Sequence, residues 1–216
     1  MAGGQLEFRI LGSLEITKGG SPLALGSRKQ RMLLAALLLH QGEPVSSDAL
    51  ADALWGEHPP TAAATSIQTY VSQLRKLLGA DAIVTQAGSY RLTREAGTVD
   101  AHAFEQAVEE GIGALEAAHW QTAADMFERA LRSWHGPALA DFRFDSFAQT
   151  EAARLEELRL TAVEHRIAAE LELGRHGELI GELQALIAEH PLRERLRCQL
   201  MVALYRAGRH ADALAA

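Results

Sequence analysis

The spacing of apolar residues changes near residue 95, and this change limits the folds open to the chain. Before it, short alternating runs occur between helical stretches, whereas from Val99 onward the spacing is helical throughout. The charge changes at the same place: residues 1–95 hold 9 basic and 8 acidic residues, and residues 96–216 hold 12 and 20. We therefore predict two domains, 1–95 and 99–216, with different partners.

The composition is typical of a globular protein, with 48% apolar and 23% charged residues. A single cysteine, Cys198, excludes an internal disulfide framework, and we interpret it as a small core residue. The first ten residues lack the basic and apolar regions of a secretory signal, and the apolar run 32–39 is too short to span a membrane. We therefore expect a cytoplasmic protein without membrane contact.

The first domain is predicted to contain a small sheet, three helices and a terminal hairpin. Leu6, Phe8 and Ile10 alternate with polar residues, which is the period of a half-buried strand. Ser27 and Ser47 are placed to cap the first two helices. The predicted helices cover residues 28–40, 48–55 and 61–78, and the hairpin strands cover 83–85 and 89–92. Elements of these types in this order predict a winged helix-turn-helix.

The third predicted helix is the main candidate for reading DNA. Ile67, Val71, Leu74 and Leu78 form one apolar stripe that would hold the helix against a core. The opposite face offers amide, hydroxyl and cationic groups, which contact base edges and phosphates. A merely solvated face is the alternative for the helix alone, and the neighbouring helix and hairpin favour DNA binding. The candidate residues on this helix are Thr65, Ser66, Gln68, Thr69, Ser72, Gln73, Arg75 and Lys76.

Two other clusters are candidates for DNA contact. Arg28 and Lys29 open the first predicted helix, whose N-terminal amides attract an anion such as a phosphate. In the hairpin, Ser89, Tyr90 and Arg91 could reach the flanking minor groove or the backbone. An ordinary structural hairpin is an equally good interpretation of these three residues.

The second domain contains an internal repeat. Gly174 and Gly208 lie in two similar segments, LGRH and AGRH, which are 34 residues apart. This spacing is the period of tetratricopeptide helix pairs. A similar turn at Ala118 breaks the period, because it lies 56 residues before Gly174. We predict an all-α tetratricopeptide-like bundle whose last helix pair is incomplete at Ala216.

No sequence motif indicates an enzyme. The phosphate-binding P-loop and the nucleophile-elbow motif are absent, and no two histidines have the H-x-x-x-H spacing. We therefore predict no catalytic residue, no metal site, no cofactor and no ATP hydrolysis, and an enzyme is the weakest of the functions considered.

Ordered segments spread over nearly the whole chain carry a family resemblance. They are residues 8–12, 28–31, 50–60, 70–78, 99–104, 130–139, 154–159, 190–194 and 204–209. Together they resemble the Streptomyces antibiotic regulatory protein family, which joins an OmpR-type winged helix-turn-helix to a bacterial transcriptional activation domain. The wing departs from the family pattern, because Ser89 stands between Gly88 and Tyr90 where many members have Gly-Tyr.

The resemblance implies a mainly α fold with a small β component and a transcriptional activator. Such a protein binds direct repeats of double-stranded DNA upstream of a promoter, as a dimer on the DNA. It recruits the RNA polymerase holoenzyme, including its sigma factor, often for antibiotic and other secondary-metabolite genes. In OmpR-type domains the loop between the second and third helices can contact polymerase. In this sequence that loop holds Glu57, His58, Pro59, Pro60 and Thr61.

Two further functions stay open from the sequence. A protein-interaction adapter would use the helical domain for binding and the winged helix for docking. A repressor would use the same DNA contacts as an activator. Salt-dependent DNA binding distinguishes a regulator from an adapter, and run-off transcription distinguishes an activator from a repressor.

Overall fold

The computed structural model describes residues 5–216; residues 1–4, which the first predicted domain includes, lie outside the described residues. The chain forms two compact units. The N-terminal unit holds the chain up to Ala103 together with Ser133–Glu156. The helical unit holds Phe104–Arg132 and Glu157–Ala216. Residues 133–156 therefore belong to the N-terminal unit, although their sequence pattern is that of the helical half.

The first sheet of the N-terminal unit has the strand order β3-β2-β1-β7. Strands β1 (Leu6–Arg9), β2 (Glu15–Lys18) and β3 (Ser21–Pro22) are antiparallel, as their alternation predicts. Strand β7 (Thr98–Val99) pairs in parallel with β1. The sequence did not predict β7, because a strand of two residues leaves no periodic signal.

Three helices follow the first sheet: α1 (Arg28–Leu39), α2 (Ser47–Trp55) and α3 (Ala63–Leu78). The Ser27 side chain caps α1 as predicted, by accepting the N–H of Gln30 at 3.4 Å. The cap of α2 is Ser46, and the prediction of Ser47 was wrong by one residue. Helix α3 begins two residues later than predicted, because the Pro60 carbonyl accepts the Ala63 N–H in a preceding turn.

The second sheet of this unit contains the predicted hairpin. Strands β5 (Ile83–Gln86) and β6 (Ser89–Leu92) are antiparallel, and β4 (Val45–Ser46) pairs with the outer side of β6. The turn residues Ala87 and Gly88 both have positive φ, 47° and 80°. Positive φ at both central residues is the requirement of a type I′ turn, which matches the twist of the strands.

The backbone segment Ile10–Gly12, which follows β1, donates N–H hydrogen bonds to the side chain of Asp100. The Asp100 carboxylate accepts the N–H groups of Ile10 at 2.9 Å and Leu11 at 3.1 Å, and also that of Ala101 at 2.8 Å. Burial raises the pKa of the Asp100 carboxyl above its ordinary value, although these N–H bonds act in the opposite direction. The Asp100 side chain thus joins the end of β1 to the start of the helix that begins at Asp100, α4 (Asp100–Glu116).

The carbonyl side of the same segment is bonded by residues from far along the chain. Its three carbonyls accept N–H bonds as follows: Ile10 from Leu139 at 2.8 Å, Leu11 from His135 at 2.9 Å, and Gly12 from Ala140 at 3.0 Å. These bonds explain why the 133–156 segment folds with the N-terminal unit rather than with its neighbours in sequence.

The remaining helices include the paired helices of the helical unit. They are α4 (Asp100–Glu116), α5 (Trp120–Leu131), α6 (Ser146–Glu172), α7 (His176–Glu189), α8 (Glu194–Arg206) and α9 (His210–Ala215). Helices α4 and α6 contribute residues to both units. Over residues 5–216, no helix is both long enough and apolar enough to cross a bilayer.

One core cluster of the helical unit is formed by one face of each of helices α6 to α9. Its buried members include Ile167, Leu183, Leu196 and Leu204. Cys198 on α8 is exposed, so its interpretation as a core residue was wrong. The helical period accounts for this, because the buried residues Leu196, Gln199, Leu200, Ala203 and Leu204 occupy the other face of α8.

The turns between α4 and α5, α6 and α7, and α8 and α9 have the same hydrogen bonding. In each, the residue after the left-handed position donates its N–H to the carbonyl four residues before that position: His119 to Ala114, Arg175 to Glu170, and Arg209 to Leu204. The left-handed residues are Ala118, Gly174 and Gly208, with φ of 56°, 84° and 80°. The repeat predicted from the sequence is therefore confirmed, including the irregular turn at Ala118.

Replacement of Asp100 by alanine should lower the free energy of unfolding by about 2–4 kcal/mol, because two strand-end N–H groups lose their acceptor. Chemical denaturation followed by circular dichroism measures the change. The matched control is His102→Ala, which removes an exposed side chain from the same helix. The control should stay within about 0.5 kcal/mol of the wild type. An equal loss in both variants would contradict the role of Asp100.

Replacement of Ala118 by glycine should raise the free energy of unfolding by about 0.5–1 kcal/mol, because glycine adopts positive φ without the steric cost of a Cβ. The reverse change, Gly174→Ala, should lower it by about 1–2 kcal/mol. A Cβ at Gly174 would meet no atom within 4 Å, so the loss measures backbone strain alone. We expect the change in the free energy of unfolding to be positive for Ala118→Gly and negative for Gly174→Ala. Changes of the same sign would contradict the equivalence of the turns.

Candidate nucleic-acid interface

Helix α3 presents the predicted polar face to solvent. The stripe Ile67, Val71, Leu74 and Leu78 is buried, which fixes the helix on the core of the N-terminal unit. Of the candidate residues, Thr65, Gln68, Thr69, Ser72, Gln73 and Lys76 are exposed, and Ser66 and Arg75 are half-buried. The side chains predicted to face DNA therefore lie together on the solvent side of a rigid helix.

Two of these side chains already have partners inside the unit. The Thr69 hydroxyl donates to the Thr65 carbonyl at 2.9 Å, so towards a base it would act as an acceptor. The Arg75 guanidinium donates to the Ile83 carbonyl at 2.8 Å and the Thr85 hydroxyl at 2.7 Å. Arg75 thus links α3 to β5, and only its remaining N–H groups are available to a phosphate.

Lys76 lies beside an open groove of about 610 Å³ between α3 and the start of α1. The groove is also lined by Ser27, Gln30, Tyr70 and Gln73. The start of α1 and the polar face of α3 therefore border the same open space.

The basic residues at the start of α1 each contact a group of the N-terminal unit. Arg28 forms an ion pair with Asp145 at 2.7 Å. Lys29 donates to the carbonyl of Leu54, and its ammonium lies 5.8 Å from the ring centre of Trp55. The sequence predicted an anion at the N-terminal amides of this helix; the carboxylate found here is that of Asp145, and it pairs with the Arg28 side chain.

Arg31, one turn further along α1, pairs with Asp141, whose carboxylate also accepts the Leu14 N–H at 2.9 Å. Sequence reasoning missed Asp141 and Asp145 as partners of the α1 arginines. The two carboxylates are more than 100 residues away in the chain, and no local pattern connects them with α1.

The three wing candidates differ in exposure. Ser89 and Arg91 are half-buried, whereas Tyr90 is only 7% exposed and belongs to the core. The Tyr90 ring is therefore packed in the core of the unit and does not belong to the proposed DNA-binding face. The turn itself is fixed to the start of α2, because the N–H and the hydroxyl of Ser47 both donate to the Gly88 carbonyl, at 3.1 and 2.8 Å.

The loop between α2 and α3 is exposed at every position predicted to contact polymerase. These positions are Glu57, His58, Pro59, Pro60 and Thr61. Gly56 starts the loop with a φ of 62°. The prolines restrict the backbone, so the loop presents Glu57 and His58 with little freedom to lose on binding.

The described part of the chain holds no cluster of three or more His, Cys, Asp or Glu side chains that could bind a metal ion.

Two family models match the chain in sequence. The model described as "Transcriptional regulatory protein, C terminal" matches residues 20–92. The model described as "Bacterial transcriptional activator domain" matches residues 99–216.

Several relatives match the chain over nearly its full length. Regulatory protein AfsR of Streptomyces griseus is 43% identical over 210 residues, which are 97% of this chain and 22% of that protein. Regulatory protein DnrI of Streptomyces peucetius is 39% identical over 98% of this chain and 82% of its own length. The chain therefore spans only about a fifth of AfsR but most of DnrI.

A solved structure shares the fold. The structure of Mycobacterium tuberculosis EmbR in complex with a low affinity phosphopeptide superposes with a TM-score of 0.94 and 39% sequence identity. The match covers 98% of this chain and 57% of the EmbR chain. With both family models in the expected order, the chain belongs to the Streptomyces antibiotic regulatory protein family of transcriptional regulators.

Proposed function

We propose that the protein is a sequence-specific DNA-binding activator whose α3 enters the major groove. The observation that carries this proposal is the polar face of α3, exposed opposite a buried stripe and followed by a hairpin bonded to α2. A helix held in this way can bring amide and hydroxyl groups to base edges in a fixed register.

The proposed contacts divide by chemistry. Lys76 and the remaining donors of Arg75 bind phosphates, while Gln68, Thr69 and Ser72 lie nearer the bases. Ser89 and Arg91 of the wing add backbone contacts beside the groove. Phosphate contacts supply affinity that depends on salt, and base contacts supply the preference for one sequence.

The proposed biological role follows from the family. The protein binds direct repeats upstream of a promoter as a dimer, in the cytoplasm, and recruits RNA polymerase with its sigma factor. Antibiotic or other secondary-metabolite genes are the proposed targets. We propose no enzymatic activity and no cofactor for these residues. We assign DNA binding to the domain of residues 1–95, which is followed by the bacterial transcriptional activator domain of residues 99–216.

Substitutions on α3 test how DNA is read, once genomic footprinting has identified the site. Lys76→Ala should lower the slope of log affinity against log salt by about one unit and leave the sequence preference unchanged. Gln68→Ala should cost roughly 1–3 kcal/mol at one base-pair position and leave the slope unchanged. Fluorescence anisotropy with the specific and a scrambled duplex measures both effects.

The α3 experiment has a clear contradicting outcome. If Gln68→Ala weakens the specific and the scrambled duplex equally, a different face of α3 lies in the groove. Arg75 is unsuitable as the phosphate probe, because its bonds to Ile83 and Thr85 make its removal a structural change as well. If the wild-type protein shows no salt-dependent binding to DNA, the adapter function is favoured instead.

The α2–α3 loop is the proposed polymerase contact. Its supporting observations are the exposure of every residue from Glu57 to Thr61 and a backbone restricted by two prolines. A connector with no binding role is the alternative, since most loops only connect.

The double variant Glu57→Ala with His58→Ala should keep DNA affinity and reduce transcript yield several-fold in run-off transcription with the promoter saturated. The matched control is His40→Ala with Glu43→Ala, which removes the same two side-chain types from the exposed α1–α2 connection. The control should transcribe normally. Unchanged transcription by the first variant would place the activating surface elsewhere, and repression by the wild type would identify a repressor.

A further inference from the structure

Two ion pairs fasten the start of α1 to residues 141–145, and they differ in accessibility. The Arg31–Asp141 pair is half-buried, with side-chain exposures of 30% and 28%, and Asp141 also accepts the Leu14 N–H. The Arg28–Asp145 pair lies further out, because the Arg28 side chain is 63% exposed. The inner pair is part of the fold, whereas the outer pair adds little to stability and can exchange partners.

Asp145 is held in place by more than its arginine. Its backbone N–H donates to the Phe142 carbonyl at 2.8 Å, and its own carbonyl accepts the Ala148 N–H at 3.0 Å. It directly precedes α6, and the N-terminus of a helix stabilises a neighbouring carboxylate. The carboxylate is only 20% exposed, so it stays in place while Arg28 is free to turn away.

Arg28 is also close to the proposed DNA-binding face. It follows Ser27, which lines the groove shared with Gln73 and Lys76 of α3. A DNA backbone that approaches this face would bring phosphates towards the start of α1, where a guanidinium is a strong phosphate ligand.

We propose that Asp145 pairs with Arg28 and thereby prevents Arg28 from binding a DNA phosphate. This pairing keeps the affinity of the protein low for DNA of any sequence. This inference rests on the proposed DNA-binding function. The contact between Arg28 and a phosphate does not depend on the DNA sequence, since a phosphate carries no base information. Asp145 therefore acts as an affinity-setting residue that reaches DNA only through Arg28.

The test uses the full 216-residue chain, a random-sequence duplex and salt-dependent fluorescence anisotropy. Asp145→Asn should release Arg28, raise the affinity roughly 3- to 10-fold near 0.1 M salt and steepen the salt slope by about one unit. Asp145→Ser, which also keeps a capping group before α6, should behave the same. Arg28→Ala in the wild type should change the affinity less than about twofold, because Arg28 is already occupied.

The double variant Arg28→Ala with Asp145→Asn separates the specific contact from general electrostatics. Its affinity and salt slope should return to the values of Arg28→Ala alone. If the gain persists without Arg28, Asp145 acts only through long-range repulsion of DNA and the proposal is overturned. An unchanged affinity of Asp145→Asn, in a chain with wild-type circular dichroism, overturns it as well.

The matched control is Glu128→Gln, which breaks the exposed ion pair of 2.8 Å between Glu128 and Arg132 at the C-terminal end of α5. It removes the same charge and frees an arginine of similar exposure, 65%. It should leave the affinity and slope unchanged, and a gain equal to that of Asp145→Asn would overturn the role of Arg28. A wild type that binds no duplex at any salt concentration would refute the proposed function itself, which is a distinguishable result.

Discussion

The backbone segment Ile10–Gly12 holds the N-terminal unit together, because it is hydrogen-bonded on both sides. The N–H groups of Ile10 and Leu11 donate to the Asp100 carboxylate, and the three carbonyls of the segment accept backbone N–H groups from residues 135–140. Buried backbone groups need partners, and here the partners come from two places about 90 and 125 residues away. The physical unit that carries α3 thus contains residues that the sequence pattern assigns to the second domain.

Local signals were enough to predict most of the winged helix. The Ser27 cap, the Gly79 end of α3 and the buried stripe beginning at Ile67 depend on neighbours within a few residues. The repeat of the helical half was also visible, because the positive φ of these turns favours glycine, and Gly174 and Gly208 lie 34 residues apart. The same conformation at Ala118 shows that the turn can form without glycine, at a cost in backbone strain.

Contacts between distant residues were beyond sequence reasoning. Strand β7 has two residues and pairs with β1 across about 90 positions, so it has neither length nor period to reveal it. The polar face of α3 was predicted by periodicity, but the partners of Arg75 and Arg28 were not, since a charged side chain in a sequence does not disclose its partner. Burial was beyond sequence reasoning in the same way. Tyr90 was predicted at the surface and lies in the core, whereas Cys198 was predicted in the core and is exposed.

The location of residues 133–156 also changes the charge balance relevant to DNA. Residues 1–95 alone have 9 basic and 8 acidic side chains, but the whole N-terminal unit has 11 and 13. A unit with a small net negative charge gains nothing from long-range attraction to DNA, because that attraction follows net charge at distances beyond the screening length. In the proposed DNA complex, the affinity then comes from cations placed close to phosphates, such as Lys76 on the exposed face of α3. In that proposed complex, recognition relies on the fit of the α3 face to the groove, and the carboxylates of Asp141 and Asp145 offset the charges of the α1 arginines with which they pair.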